Sequence, residues 1–178
     1  SPDADENLVA GNGAGGNLNG STACFNLFLG CNAGKNVTAG AGNVFIGKNS
    51  GCVGPIAENG NLGIGEETGR KLTSGEYNIF LGHKVGSEAT TIIKSVFIGN
   101  QAGALRETGN FNVAVGNNAL YGHSTAANNT AKNNVAIGNF AGKVVTSGDS
   151  NIMIGCGAAC SVSTGTLNIS IGEKAGMN

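Results

Sequence analysis

Residues 134–142 read Asn-Val-Ala-Ile-Gly-Asn-Phe-Ala-Gly, and this nine-residue pattern decides the fold because it recurs along the whole chain. Its general form is Asn-Φ-x-Φ-Gly-x-x-small-Gly, where Φ is aliphatic, and we number its residues as motif positions one to nine. The ten copies begin at Asn7, Asn26, Asn43, Asn61, Asn78, Ser95, Asn112, Asn134, Asn151 and Asn168. Successive glycines at position five are 19, 17, 18, 17, 17, 17, 22, 17 and 17 residues apart. A fixed short period of this kind is the signature of a solenoid.

Each period contains two short runs with extended character. One is the Φ-x-Φ segment, and the other has the weaker form Φ-Thr-x-Gly, as in Val145-Thr146-Ser147-Gly148. Short alternating runs bounded by Gly and Asn indicate strands and turns rather than helices. One coil per 17 residues places equivalent residues above one another, so the sequence predicts an all-β, parallel β-solenoid of ten coils. The Asn side chains at position one are then expected to stack and to hydrogen-bond along the solenoid.

The composition is consistent with a thin solenoid and not with a thick globular core. Gly accounts for 32 of the 178 residues, aromatic residues for 5% and charged residues for 12%, and Trp is absent. A net charge of −1 with 40% apolar residues also argues against disorder. We therefore expect residues 1–178 to form a single repeat domain, with a turn insertion at about 120–133, and to be a fragment of a longer fibre.

The alternation within the motif predicts which side chains face inward. Positions two and four, such as Val44 and Ile46, are expected to fill the coil interior, and position three then points outward. Position three holds an aromatic stripe, formed by Phe28, Phe45, Phe80 and Phe97. An exposed Phe stripe promotes aggregation, so we expect it to be buried against two sister chains as a trimer interface. A ligand-facing stripe and a stripe exposed to solvent are the alternatives.

Two segments carry a resemblance to known proteins. Residues 112–116 (Asn-Val-Ala-Val-Gly) and 134–138 (Asn-Val-Ala-Ile-Gly) resemble head repeats of trimeric autotransporter adhesins. Residues 112–142 are also similar to repeats that precede the self-cleaving chaperone domain of phage-type tail fibres. The resemblance implies a homotrimer of left-handed parallel β-rolls.

Four of the five cysteines flank the same turn of the repeat. Cys31 and Cys156 occupy position six, whereas Cys52 and Cys160 directly follow position nine, at what we call position ten. This placement allows a Cys156–Cys160 disulfide within one coil and a Cys31–Cys52 disulfide between adjacent coils. Free thiols are an equal alternative, and a zinc site is weaker because no neighbouring Cys or His pair completes four ligands.

The long insertion is the candidate ligand-contact site. It contains Tyr121 and His123, an aromatic residue and a titratable residue on a segment that is expected to protrude from the coils. The alternative is a longer solvated turn without a binding role.

No set of residues suggests catalysis or a cofactor. Glu66 and Glu67 are consecutive and diverge, and the sequence has no Ser/His/Asp set and no calcium-binding repeat. Ten basic and eleven acidic residues without a basic run exclude a nucleic-acid partner. No apolar run approaches the length that spans a bilayer, so we expect no direct membrane insertion of this segment.

The function expected from these observations is that of a structural and adhesive segment of an extracellular trimeric fibre. Such a fibre belongs to a bacterial surface adhesin or a phage-type tail fibre on the virion, and attaches to a glycan or protein receptor on a cell surface. A carbohydrate-binding module on a solenoid scaffold is the alternative, and an ice-binding solenoid is a weaker one.

Overall fold

The computed structural model describes residues 5–19, 22–125 and 129–177. Within those ranges the chain has ten strands of three residues each and no helix. The strands are β1 (Leu8–Ala10), β2 (Leu27–Leu29), β3 (Val44–Ile46), β4 (Leu62–Ile64), β5 (Ile79–Leu81), β6 (Val96–Ile98), β7 (Val113–Val115), β8 (Val135–Ile137), β9 (Ile152–Ile154) and β10 (Ile169–Ile171).

All ten strands belong to one parallel sheet in chain order. Each strand pairs with the next at equivalent motif positions, so that Val96 lies beside Val113 and Ile98 beside Val115. The chain is therefore a parallel β-solenoid, as the 17-residue period predicts, and its ten strands form about nine turns where ten coils were expected.

In the described residues the second extended run of each period forms no strand, although its sequence indicates one. It contributes one isolated bridge there, between Val37 and Ile56. Backbone hydrogen bonds still join the coils on this side, for example from Thr73 N to Thr90 O at 2.9 Å. In several coils a Gly shortens the run two residues after the Thr, as Gly75 does after Thr73.

The interior of the coils is formed by position three, so the predicted inside and outside faces are reversed. Phe28, Phe45, Phe80 and Phe97 have no exposed surface even in the single chain. The first two rings stack on each other with centroids 5.8 Å apart, and the last two do so at 5.6 Å. The prediction that these residues form a trimer interface is therefore wrong, because their rings lie inside their own coils.

The Asn residues at position one explain the reversal. Asn43 is fully buried, and a strand places residues two apart on the same face, so position three must share the interior with position one. The predicted amide ladder is confirmed: Asn43 Oδ1 accepts hydrogen bonds from the backbone N and the side-chain Nδ2 of Asn61, at 2.9 and 3.1 Å. The same arrangement continues from Asn61 to Asn78 and from Asn134 to Asn151. Buried amides are thereby satisfied coil by coil.

The glycines at positions five and nine are required for different reasons. Gly65, at position five, has a φ of +128°, and a Cβ added there would overlap the carbonyl oxygen of Gly82 in the next coil. Gly103, at position nine, would place its Cβ against the Phe97 ring. Position five therefore permits close coil stacking, whereas position nine makes room for the aromatic core.

Candidate interaction surfaces

The outer face of the sheet is a continuous aliphatic surface, which we call the aliphatic face. It consists of motif positions two and four of all ten strands, and every one of these residues is Leu, Val, Ile or Ala. Each is partly or largely exposed in the single chain, in contrast to the buried residue between them. Ile64 and Ile137, in the middle of the rod, each expose 39% of their surface.

The aliphatic face is long and narrow. Ten strands about 4.8 Å apart give a length of about 45 Å, and two side-chain columns give a width of about 10 Å, hence an area on the order of 450 Å². Apolar patches of this size on soluble proteins are commonly interaction sites. Sequence reasoning found these residues but assigned them to the interior.

Of the insertion after β7, the structure describes residues 120–125 and 129–133, whereas residues 126–128 of the predicted stretch lie outside the described residues. Leu120 and Ala131, within the predicted stretch 120–133, are fully buried in the coil interior. Tyr121 is partly buried, and its carbonyl accepts a hydrogen bond from Leu105 N at 2.9 Å, so its backbone still belongs to the coil. His123 is exposed and lies at the base of the loop. The predicted pair therefore divides into a coil residue and a loop residue.

Asn129 closes the base of this loop. It is fully buried, and its Oδ1 accepts a hydrogen bond from His123 N at 2.8 Å. Its Nδ2 donates to the carbonyl oxygens of Leu105 and His123, at 2.8 and 2.9 Å. The side chain thus ties the loop to the preceding coil.

Arg106 lies inside the solenoid beside the insertion and has no exposed surface. Its Nη1 donates to Val145 O and its Nη2 to Ala131 O, both at 2.9 Å, so its guanidinium bridges the two coils that follow it. Burial lowers the pKa of Arg106 to about 10, and the charge of Asp149 acts in the opposite direction. No pattern in the sequence pointed to this buried cation.

All five cysteines lie within the described residues, and all are free thiols. The candidate disulfides Cys156–Cys160 and Cys31–Cys52 are therefore not present in the structure. Burial raises the pKa of the Cys52 thiol, and Arg70 opposes that rise.

Cys156 and Cys160 line an open, mainly apolar depression near the C-terminal end of the rod. Its volume is about 300 Å³, and its other lining residues are Phe140, Lys143, Gly157, Lys174 and Met177. No three His, Cys, Asp or Glu side chains come together as a metal site anywhere in residues 5–19, 22–125 and 129–177.

Six charged residues form an ion-pair ladder on the coils of β3, β4 and β5: Lys48, Glu66, Glu67, Arg70, Lys71 and Glu88. Lys48 Nζ lies 3.1 Å from Glu66 Oε1, and Arg70 Nη2 lies 3.0 Å from Glu88 Oε1. The hydrogen bond to Glu66 raises the pKa of Lys48. Partial burial acts to raise the pKa of Glu88, but hydrogen bonds from Lys71 and Arg70 outweigh it and keep that pKa below 4.5.

A further surface was missed by the sequence analysis. The residue immediately before position one forms a column along one edge of the sheet, which we call the edge column. Its members are Glu6, Phe25, Gly42, Gly60, Tyr77, Lys94, Phe111, Asn133, Ser150 and Leu167, and all ten have a positive φ between 53° and 68°. Phe25, Tyr77 and Phe111 expose 62%, 53% and 50% of their surfaces. The signal in the sequence was weak because aromatic residues occupy this column in three coils of ten.

Comparisons of the chain with protein-family models, with curated proteins and with solved structures found no match. In the part of the chain that the structure describes, no helix is long and apolar enough to cross a membrane.

Proposed function

We propose that this chain is a structural and adhesive segment of an extracellular fibre, in which three copies associate side by side through their aliphatic faces. The fibre belongs to a bacterial surface adhesin or a phage-type tail fibre and attaches to a glycan or protein receptor on a cell. The observation that carries the proposal is the aliphatic face, which leaves two aliphatic columns along the rod without a partner in the single chain.

A second copy of the chain is the best-matched occupant of this face. A partner must present apolar side chains at the same spacing of about 4.8 Å over about 45 Å, and another copy aligned in parallel does so. Three faces directed at a common axis form one closed apolar core, and cyclic symmetry leaves no face uncovered. The number three and the left-handed coil come from the resemblance to adhesin heads.

The adhesive part of the proposal follows from the same geometry. A trimer of parallel rods is stiffer than one rod, and it presents each surface column three times along ten coils. Many weak contacts with a receptor can then combine into tight binding by avidity. An ice-binding role is less consistent with the structure, because the Thr hydroxyls of the second extended run form hydrogen bonds within the solenoid. The Thr73, Thr90 and Thr146 hydroxyls donate to carbonyl oxygens of the next coil at 3.0, 2.9 and 3.1 Å.

Light scattering tests the assembly. We expect the chain, at 17.6 kDa, to have about three times that mass in solution. Ile64→Asp and Ile137→Asp place a carboxylate on the aliphatic face and should reduce the mass to that of one chain, while each chain keeps its coil. Ser147→Asp, at an exposed position outside the sheet, is the matched control and should leave the mass unchanged.

A wild-type chain that is monomeric at micromolar concentration would overturn the fibre proposal. A trimer that survives both Ile substitutions would show that the chains associate through another surface.

A further inference from the structure

The edge column holds aromatic side chains where the backbone disfavours them. Phe25, Tyr77 and Phe111 have φ values of +57°, +55° and +60°, in the left-handed region that L-residues with bulky side chains avoid. Gly42 and Gly60 occupy the same column and adopt this conformation without strain. Each aromatic residue therefore strains the backbone and exposes about half or more of its surface.

The three rings lie outside the interior of the folded chain. None of them belongs to the buried core cluster, which is filled by position three and by residues on the far side of the coil. Strained residues that the core does not require are typical of recognition sites. This points to a ligand for the edge column.

The segment from Gly60 to Phe111 has the arrangement of a binding strip. The Tyr77 ring extends along the column, with its Cδ1–Cε1 edge above Gly60, where an added Cβ would lie 2.7 Å from Cδ1. Lys94 follows in the next coil, with Nζ 5.9 Å from the centre of the Tyr77 ring, and Phe111 follows one coil later. Tyr77 and Phe111 are thus two coils, or about 10 Å, apart along the rod. This is about the length of one disaccharide unit in an extended β-linked glycan.

We propose that the edge column binds a linear β-linked polysaccharide that runs parallel to the rod. Tyr77 and Phe111 stack on sugar rings one disaccharide apart, and the Lys94 ammonium donates a hydrogen bond to a hydroxyl of the sugar between them. Toward the N-terminus, Gly42 leaves open space in the column, since an added Cβ there would meet nothing within 4 Å. The polysaccharide therefore has room to continue to Phe25. The proposal specifies the receptor of the proposed adhesive fibre, but it does not require the trimer.

A glycan fits this column better than a sister chain does. Lys94 lies between Tyr77 and Phe111, and polar residues also flank the aromatic part of the column at both ends, so a sister chain packed on it would bury those polar groups. A polysaccharide presents hydroxyl groups as well as apolar ring faces, so it satisfies both kinds of side chain. The aliphatic face, in contrast, contains no polar residue and suits a sister chain.

The test measures binding of the whole chain to chitin and cellulose beads, with titration of chitohexaose and cellohexaose to obtain affinities. We expect the wild-type chain to bind at least one of the two glycans. Tyr77→Gly and Phe111→Gly remove the rings at a backbone conformation that Gly accepts, and each should weaken binding about tenfold. Ser150→Gly makes the same backbone change in the same column without removing a ring, and it should bind like the wild type. The melting temperature of each variant should stay within about 4 °C of the wild-type value.

Three results would overturn the proposal: no binding of the wild-type chain to either glycan, unchanged affinity in both ring variants, or a loss of trimer mass in the ring variants. The last result would assign the edge column to the contact between sister chains. A monomeric wild-type chain whose glycan binding still depends on Tyr77 and Phe111 would instead disprove the fibre and leave the binding strip in place.

Discussion

The coils of β2 to β6 and those of β7 to β9 share one backbone but fill it in different ways. In the coils of β2, β3, β5 and β6, Phe at position three is opposed by Gly at position nine, as in Phe97 with Gly103, which the ring contacts. In the coil of β7 the pair becomes Ala114 with Leu120, and both side chains are fully buried. The large side chain has moved from the strand to the turn.

The comparison shows that the interior volume is shared between positions and between adjacent coils. In the coil of β8 both positions are small, Ala136 and Gly142, and the side chains of Leu120 and Met153 from the adjacent coils lie against Gly142.

The coil of β4 shows the same compensation between adjacent coils. Gly63 and Gly69 leave both positions empty there, and the rings of Phe45 and Phe80 occupy the space. Close packing at interior density requires such compensation, because an unfilled void destabilises the fold.

Phe97→Ala should produce the largest loss, about 3–5 kcal/mol in free energy of unfolding, because it opens a cavity in a full coil. Adding Gly103→Leu in the same chain transfers the arrangement of the β7 coil and should recover about 1–2 kcal/mol. Gly103→Leu alone should destabilise, because the new side chain overlaps the Phe97 ring. Denaturant unfolding of the three variants measures these effects. A double variant no more stable than Phe97→Ala would contradict the compensation.

The next largest effect is expected at Arg106, which fills the interior beside the insertion. Arg106→Ala should cost about 3 kcal/mol, because it removes buried side-chain volume and two hydrogen bonds to the carbonyl oxygens of Ala131 and Val145. Arg70→Ala, in the partly exposed ion-pair ladder, is the matched control and should cost less than about 1 kcal/mol. Equal losses in thermal melts would mean that the buried guanidinium contributes no more than a surface ion pair.

Asn129 should contribute less than Arg106 because its role is limited to the loop base. Asn129→Ala removes three hydrogen bonds and should cost about 2 kcal/mol. Thr130→Ala changes the exposed neighbour and should leave the melting temperature nearly unchanged. If the two variants have the same melting temperature, the Asn129 side chain does not fix the loop base, and other contacts position Tyr121 and His123.

The sequence predicted the architecture well and the faces badly. The period defined ten strands in one parallel sheet, and stacked Asn residues were expected at position one. Because side chains alternate along a strand, either position three or positions two and four can face the interior. The aliphatic residues at positions two and four are the expected core. The buried Asn at position one decides between the two assignments, but an Asn is normally expected outside.

The candidate sites were predictable to different degrees. The insertion was visible as a 22-residue spacing, although the burial of Leu120 and Ala131 depends on contacts with neighbouring coils. Arg106 and the edge column depend on three-dimensional stacking that a single coil does not reveal. The disulfide candidates rested on shared turn positions alone, which do not fix the distance between two sulfur atoms.

The smallest expected effect concerns the ion-pair ladder, which lies on the coils of β3, β4 and β5 in the first group. Because the pKa of Glu88 in the folded chain lies below 4.5, ionised Glu88 stabilises the folded state at neutral pH. That contribution is complete above about pH 4.5 and is lost as the pH falls through the lower folded-state pKa. Exposure to solvent limits it to about 1 kcal/mol or less.

Glu88→Gln tests this contribution, and Glu107→Gln, which changes a partly exposed carboxylate outside the ion-pair ladder, is the matched control and should leave the melting temperature nearly unchanged at every pH. Melting temperatures measured from pH 7 to pH 3 should show that wild type and Glu88→Gln converge at the acid end, since both then lack the charge. If Glu88→Gln differs from wild type by the same amount at pH 3 and pH 7, the Glu88 contacts act as neutral hydrogen bonds. The charge of Glu88 would then contribute nothing to the stability of the first group of coils.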